Sequence, residues 1–226
     1  MENYTTVKEF IVGREGNQPF TITGTRVSRH HCVIKTDGER FTIRDLGSTH
    51  GTSVRNEETG EFELVSADEE MAITPFTLVC LADSTQDGCT FYPYSLLHPD
   101  DYRMIFDYLR DKEDAFDTEL NNLEKKVSMQ KKLVFGLNLV VFLASFEYPG
   151  IHVDQETRMW MLRVVPLAST GFAAFYDATA AKRRISDKRN NFHHCPNPAC
   201  SRMLKSSDIY SGSCKCMKKK KKDKNK

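Results

Sequence analysis

No uncharged run in this chain of 226 residues reaches the ~17–25 residues that a helix needs to cross hydrocarbon. The longest, residues 133–146, has 14. The start, Met1-Glu2-Asn3-Tyr4, has neither the basic opening nor the apolar run of a secretory signal. The N-terminal part is therefore expected in a reducing cytoplasm, with Cys32, Cys80 and Cys89 as free thiols beside apolar strand runs. No nucleophile stands with a partner base, and the cysteines near the C-terminus are half the ligand set that a RING-type ligase module requires. A catalyst is therefore not expected.

The overall charge of +1 conceals an asymmetry. From Lys182 onward there are 15 basic and three acidic residues, a net of +12, which leaves the first 181 residues at −11. The two parts call for different partners.

Short β-prone runs, 10–12, 20–23, 31–34, 41–43 and 76–80, alternate with turn formers such as Thr36-Asp37-Gly38 and Glu15-Gly16-Asn17. That is the pattern of a β-sandwich. Between the runs lie Gly13-Arg14, Thr25-Arg26-Val27-Ser28-Arg29-His30-His31 and Asp45-Leu46-Gly47-Ser48-Thr49-His50-Gly51-Thr52. Guanidinium forks and short hydroxyls on tight loops suit a phosphate dianion. In this order the strings resemble the phosphate-reading loops of a forkhead-associated (FHA) domain, over roughly residues 4 to 95.

The resemblance implies a phosphothreonine-binding site. Arg14 would hold the partner's backbone and phosphate, Ser28 would donate its hydroxyl, and Arg26 would reach the phosphate or an acidic neighbour. Thr49 would bond at the same oxygens. Gly13, His31 and Gly51 would be architectural, with the His31 ring bonding loop backbone to hold Ser28. His50 stands where the family usually has asparagine; imidazole also offers one donor and one acceptor, with a different reach. A second departure is Arg55-Asn56 with a polar insert to Gly60, in place of asparagine-glycine. That loop is expected to vary without touching phosphate.

Residues 99–132 read as one helix capped by Asp100 or Asp101, with Phe116, Leu120, Leu123 and Val127 as an apolar seam. The seam suits either a homodimer contact or packing within the chain. Two apolar segments follow, 133–146 and 159–181. Lys131-Lys132 and Lys182-Arg183-Arg184 flank them, and the loop between carries Glu147, Asp154 and Glu156 against Arg158. By the positive-inside rule this asymmetry predicts a membrane hairpin with both termini cytoplasmic, Tyr148 and Trp160 at the outer interface and Tyr176 at the inner one. The bland alternative is a buried helical pair.

Cys195 and Cys200, then Cys214 and Cys216, have the look of a zinc-ribbon-like module, since four thiolates close a tetrahedral shell. Their spacings, C-x4-C and C-x-C, are irregular for a ribbon, and His193 or His194 are substitute ligands. Lysines 218–222, 224 and 226 suit nucleic acid, an anionic membrane surface, or solvent.

The expected organisation is a mainly β sandwich over 1–97, a helical linker over 98–132, a membrane hairpin over 133–181 and a basic zinc-ribbon-like module over 182–226. The expected function is a membrane-anchored adaptor that binds a threonine-phosphorylated protein. The alternative is a soluble nucleic-acid-associated protein whose FHA-like domain recruits a regulator.

Overall fold

The structure is a computed structural model that describes residues 7–22, 24–82, 90–144, 154–160, 163, 178–200 and 202–217. β-branched and aromatic residues set its strands. β1 (Lys8–Val12), β2 (Cys32–Thr36), β3 (Phe41–Asp45) and β6 (Met71–Ile73) form one sheet in the order β1-β2-β3-β6. β4 (Thr52–Arg55), β5 (Phe62–Leu64), β7 (Val79–Leu81) and β8 (Thr90–Phe91) form a second in the order β5-β4-β7-β8. Every pairing is antiparallel, with Phe10 opposite Ile34, Ile34 opposite Ile43, and Ser53 between Leu64 and Cys80. Alternate residues of both sheets fill one core, in which Val12, Ile34, Ile43, Val79 and Leu81 are fully buried. The N-terminal fold is thus a two-sheet antiparallel sandwich, followed by a long helix and then by shorter ones.

The run 20–23 is not a strand in its described residues. Ile22 enters the core from a loop and Phe20 packs on Phe91 at 5.3 Å between ring centroids, so the apolar residues anchor an irregular segment.

Among the described residues, α1 (Tyr94–Leu97), α2 (Arg103–Ala144), α3 (Ala178–Phe192) and α4 (Ser206–Tyr210) follow. Asp101 starts α2 by accepting the Arg103 N–H at 3.2 Å. The helix outruns the expected 99–132 because nothing after Lys132 stops it and Gly136 alone does not break 42 residues.

The chain divides into two compact units, residues 1–114 with 188–226, and residues 115–187. In the second, Lys182 Nζ meets Glu124 Oε1 at 2.6 Å, and Asp154 caps a short helical stretch at 155–160 by accepting the Thr157 N–H at 2.9 Å. Phe116 is buried and Leu120, Leu123 and Val127 are half-buried, so the seam is partly covered within one chain.

The membrane hairpin is overturned. Among the described residues no helix is long and apolar enough to cross a membrane. The uncharged part of α2 that is described, 133–144, rises only about 18 Å at 1.5 Å per residue, against about 30 Å of hydrocarbon. It continues a helix that is charged along its earlier turns, so flanking basic residues supply no span. The segment 159–181 falls mostly outside the described residues, as do Tyr148, Tyr176, Cys89 and the lysine tail.

Candidate functional site

Two loops of the sandwich carry the phosphate-type residues, one between β1 and β2 and one between β3 and β4. The first is folded back on itself. The Arg14 N–H donates to Ser28 O at 3.1 Å, and the Glu15 N–H to Arg29 O at 2.9 Å. Gly13 is required where the two stretches cross, because a β-carbon there would overlap the Arg29 carbonyl. Gln18 closes the turn, its Nε2 donating to Gly13 O at 2.7 Å.

His31 joins the two loops. Fully buried, its Nδ1 accepts the Ser28 N–H at 3.0 Å and its Nε2 faces Gly51 O at 2.9 Å. An Nδ1 that accepts and an Nε2 that donates define the neutral tautomer. Burial agrees with this, since desolvation lowers the His31 pKa despite the bond to Gly51. The Thr49 N–H donates to Ser28 Oγ at 3.3 Å, which leaves the Ser28 hydroxyl proton for an acceptor beyond the loops.

The second loop is shaped by a residue to which the sequence reading gave no role. Asp45, 5% exposed, accepts from the Ser48 N–H at 2.7 Å, from Ser48 Oγ at 2.8 Å and from Thr52 Oγ1 at 2.6 Å. Burial pushes its carboxyl up, but the bonds from Thr52 and Ser48 outweigh burial and hold the pKa below its ordinary value. The signal was an aspartate three residues before a serine, a spacing at which the side chain accepts from the loop's own backbone as an N-cap does. Gly47 and Gly51 take φ of +71° and +76°, where a side chain would be strained.

The structure thus brings Arg14 to Ser28 through a backbone bond, and Thr49 to Ser28 through a bond from its N–H to the Ser28 hydroxyl. Arg14, Arg26, Thr49 and His50 are exposed and Ser28 is half-buried. This is a surface of guanidinium and hydroxyl donors on braced loops, the arrangement that a tetrahedral oxyanion accepts.

A family model for the FHA domain matches residues 10–69. Residues 10–69 are an FHA domain. The FHA domain-containing protein FhaA of Mycobacterium tuberculosis (strain ATCC 25618 / H37Rv) is 40% identical over 58 residues, which are 26% of this chain and 11% of the relative. The chain therefore spans about a tenth of the length of the curated relative it matches. Among solved structures, the crystal structure of the FhaA FHA domain complexed with the intracellular domain of Rv3910 is 31% identical. It covers 33% of this chain and 71% of that one, with a TM-score of 0.27.

Beyond the FHA loops, the four C-terminal cysteines converge. The Sγ atoms of Cys195, Cys200, Cys214 and Cys216 lie within 4.8 Å of one another, and Cys195 and Cys216 are 3.6 Å apart. A tetrahedral thiolate shell with metal–sulfur bonds of about 2.3 Å has edges of about 3.8 Å. The irregular spacings are absorbed by turns: the Cys200 N–H donates to Asn197 O at 2.9 Å, and Gly212 turns at φ +60° before Cys214. Burial pushes the Cys195 thiol up, and the other three sulfurs add to this. Cys214 goes down, because against burial it receives the Cys216 backbone N–H and contacts with neighbouring thiols. Several thiolates at this spacing need a cation among them, and the four sulfurs can hold a metal ion.

His193 and His194 are engaged elsewhere. His193 Nε2 donates to Glu113 Oε2 at 2.8 Å, and His194 Nδ1 lies 3.1 Å from Asn191 O. Glu113, 1% exposed, also receives Arg189 Nε at 3.0 Å. Burial pushes its carboxyl up, but bonds from Arg189, Ser206 and His193 bring it down to about 2.

Proposed function

We propose that this chain is a non-catalytic adaptor whose FHA domain captures a threonine-phosphorylated protein. The observation that carries the reading is the neutral His31 bridge, which fixes the Ser28 hydroxyl beside the Arg14 turn and the Thr49 backbone. Arg14 and Ser28 hold the phosphate, Arg26 and Thr49 complete its shell, and His50 meets the peptide backbone. Gly13, His31 and Gly51 keep the loops in place. The relative's FHA domain, complexed with the intracellular domain of Rv3910, supports a protein as partner.

The cysteine module holds structural zinc. What supports zinc is the donor set, four thiols within tetrahedral reach and, among the described residues, no carboxylate or histidine with them.

The test is calorimetric titration of the full chain with a phosphothreonine peptide library. Binding is expected to need the phosphate and to fall more than tenfold in Arg14→Ala or Ser28→Ala, since charge-assisted bonds contribute roughly 1.5–3 kcal/mol each. Equal binding of the unphosphorylated peptides rejects the reading.

A second setting is favoured by exposed Lys182, Arg183 and Arg184 on α3, in which the basic C-terminal part meets nucleic acid while the FHA domain recruits a regulator. Salt-dependent retardation of DNA or RNA by the full chain checks it.

A further inference from the structure

The family's asparagine-glycine is replaced here by Arg55-Asn56 and a polar insert, and the structure shows what the replacement does. The Arg55 side chain is fully buried. Its guanidinium lies 3.8 Å from the centroid of the Phe192 ring, and its Nη1 donates to Asn191 O at 3.3 Å. Its Nη2 meets Glu57 at 3.3 Å and Tyr108 Oη at 3.4 Å. At the end of the insert, Asn191 Nδ2 donates to Gly60 O at 2.9 Å. The departure is thus a receptor for the segment that leads into the cysteines.

Past that anchor lies a second apolar core. Leu78 and Tyr92 come from the sandwich, Ile105, Phe106 and Leu109 from α2, and Leu204 and Ile209 from the cysteine module, with Cys195 and Cys214 among them. Each of these is 4% exposed or less. Two of the four thiols that converge are therefore wall residues of a core shared with the FHA domain. Among the described residues of the segment that bears them, 188–217, the large apolar side chains that are buried are Phe192, Leu204 and Ile209, too few to order 30 residues without a metal.

We propose that the thiol cluster is a metal-dependent latch that closes the FHA unit. Its Cys195, Cys200, Cys214 and Cys216 grip one ion, which holds Leu204 and Ile209 on Leu78 and Tyr92. The phosphate-reading domain is then complete only as residues 7–114 with 188–217. The proposal rests on the zinc reading and is independent of the phosphothreonine reading.

Hydrogen exchange on the full chain, zinc-loaded and then stripped with a chelator, tests it alongside metal content and Tm. Stripping is expected to lower Tm by roughly 10 °C or more and to speed exchange at Val79–Leu81 and Phe91–Tyr92, over 100 residues from the cysteines in sequence. Cys214→Ser is expected to reproduce both changes, and readdition of zinc to reverse them in the native chain only. A chain that takes up no zinc overturns the metal reading and this proposal together. A zinc-loaded chain that loses protection only within 193–217 when stripped, with its sandwich amides unchanged, overturns the latch alone.

Discussion

Asp45 accepts three hydrogen bonds at the base of the 46–51 loop, and an amide in its place could take only part of them. Asp45→Asn is expected to destabilise the chain by about 1.5–3 kcal/mol, read as a lower urea midpoint, because a buried donor loses a charged acceptor. Binding should weaken as the Thr49 region loosens. His31 makes a separate prediction in pH. Its folded pKa, like that of the half-buried His194, is lowered from 6.5 chiefly by desolvation. Below 6.5 the unfolded chain takes up protons that the folded chain refuses, so stability is full above that value and is lost as pH falls through the window beneath it. Thermal midpoints should therefore fall between pH 7.5 and 5.5, and His31→Gln should flatten part of that slope whatever its own stability. An unchanged slope would show that the ring is not held neutral.

β4 is only four residues long, yet its ends do different things: Thr52 donates to Asp45 beneath the 46–51 loop, and Arg55 lies under Phe192. Arg55→Ala is expected to cost about 2–5 kcal/mol in chemical denaturation, because it empties a buried site under Phe192 and takes the donor from the Asn191 carbonyl, while Glu57 keeps Lys112 at 3.2 Å. Arg14→Ala, an exposed change, should leave stability nearly untouched while removing binding. This contrast also marks what could be read in the sequence. The bracing of the candidate loops was legible because it is local: glycine, histidine and hydroxyls within short strings. β5, β6 and β8, of three, three and two residues, are too short to show alternation. Arg55 was illegible for another reason. It reads as a loop charge, and only a contact with Asn191, 136 residues away, makes it a core residue. The membrane expectation failed on charge patterning, since basic flanks orient a span without creating one.

At the scale of the whole molecule, the FHA unit is discontinuous, and residues 115–187 leave and re-enter it near the Glu113–Arg189 pair. A chain cut after residue 97 should expose Leu78 and Tyr92, bind hydrophobic dyes and melt well below the full chain. If that fragment instead melts like the full chain, the second core contributes nothing to the sandwich. The Glu113 carboxylate adds an acid limit. Its bonds from Arg189, Ser206 and His193 stabilise the unit above about 4.5 and are lost as pH falls toward about 2. The discontinuity also has a consequence for synthesis. Some 122 residues separate Tyr92 from Cys214, and at about 5–20 residues per second the ribosome needs roughly 6–25 s to make them. Throughout that interval the part of the wall that Leu204 and Ile209 cover is open, so the nascent chain is most in need of a chaperone after its FHA strands have emerged, and an ion in the proposed latch can bind only once Cys216 has been made.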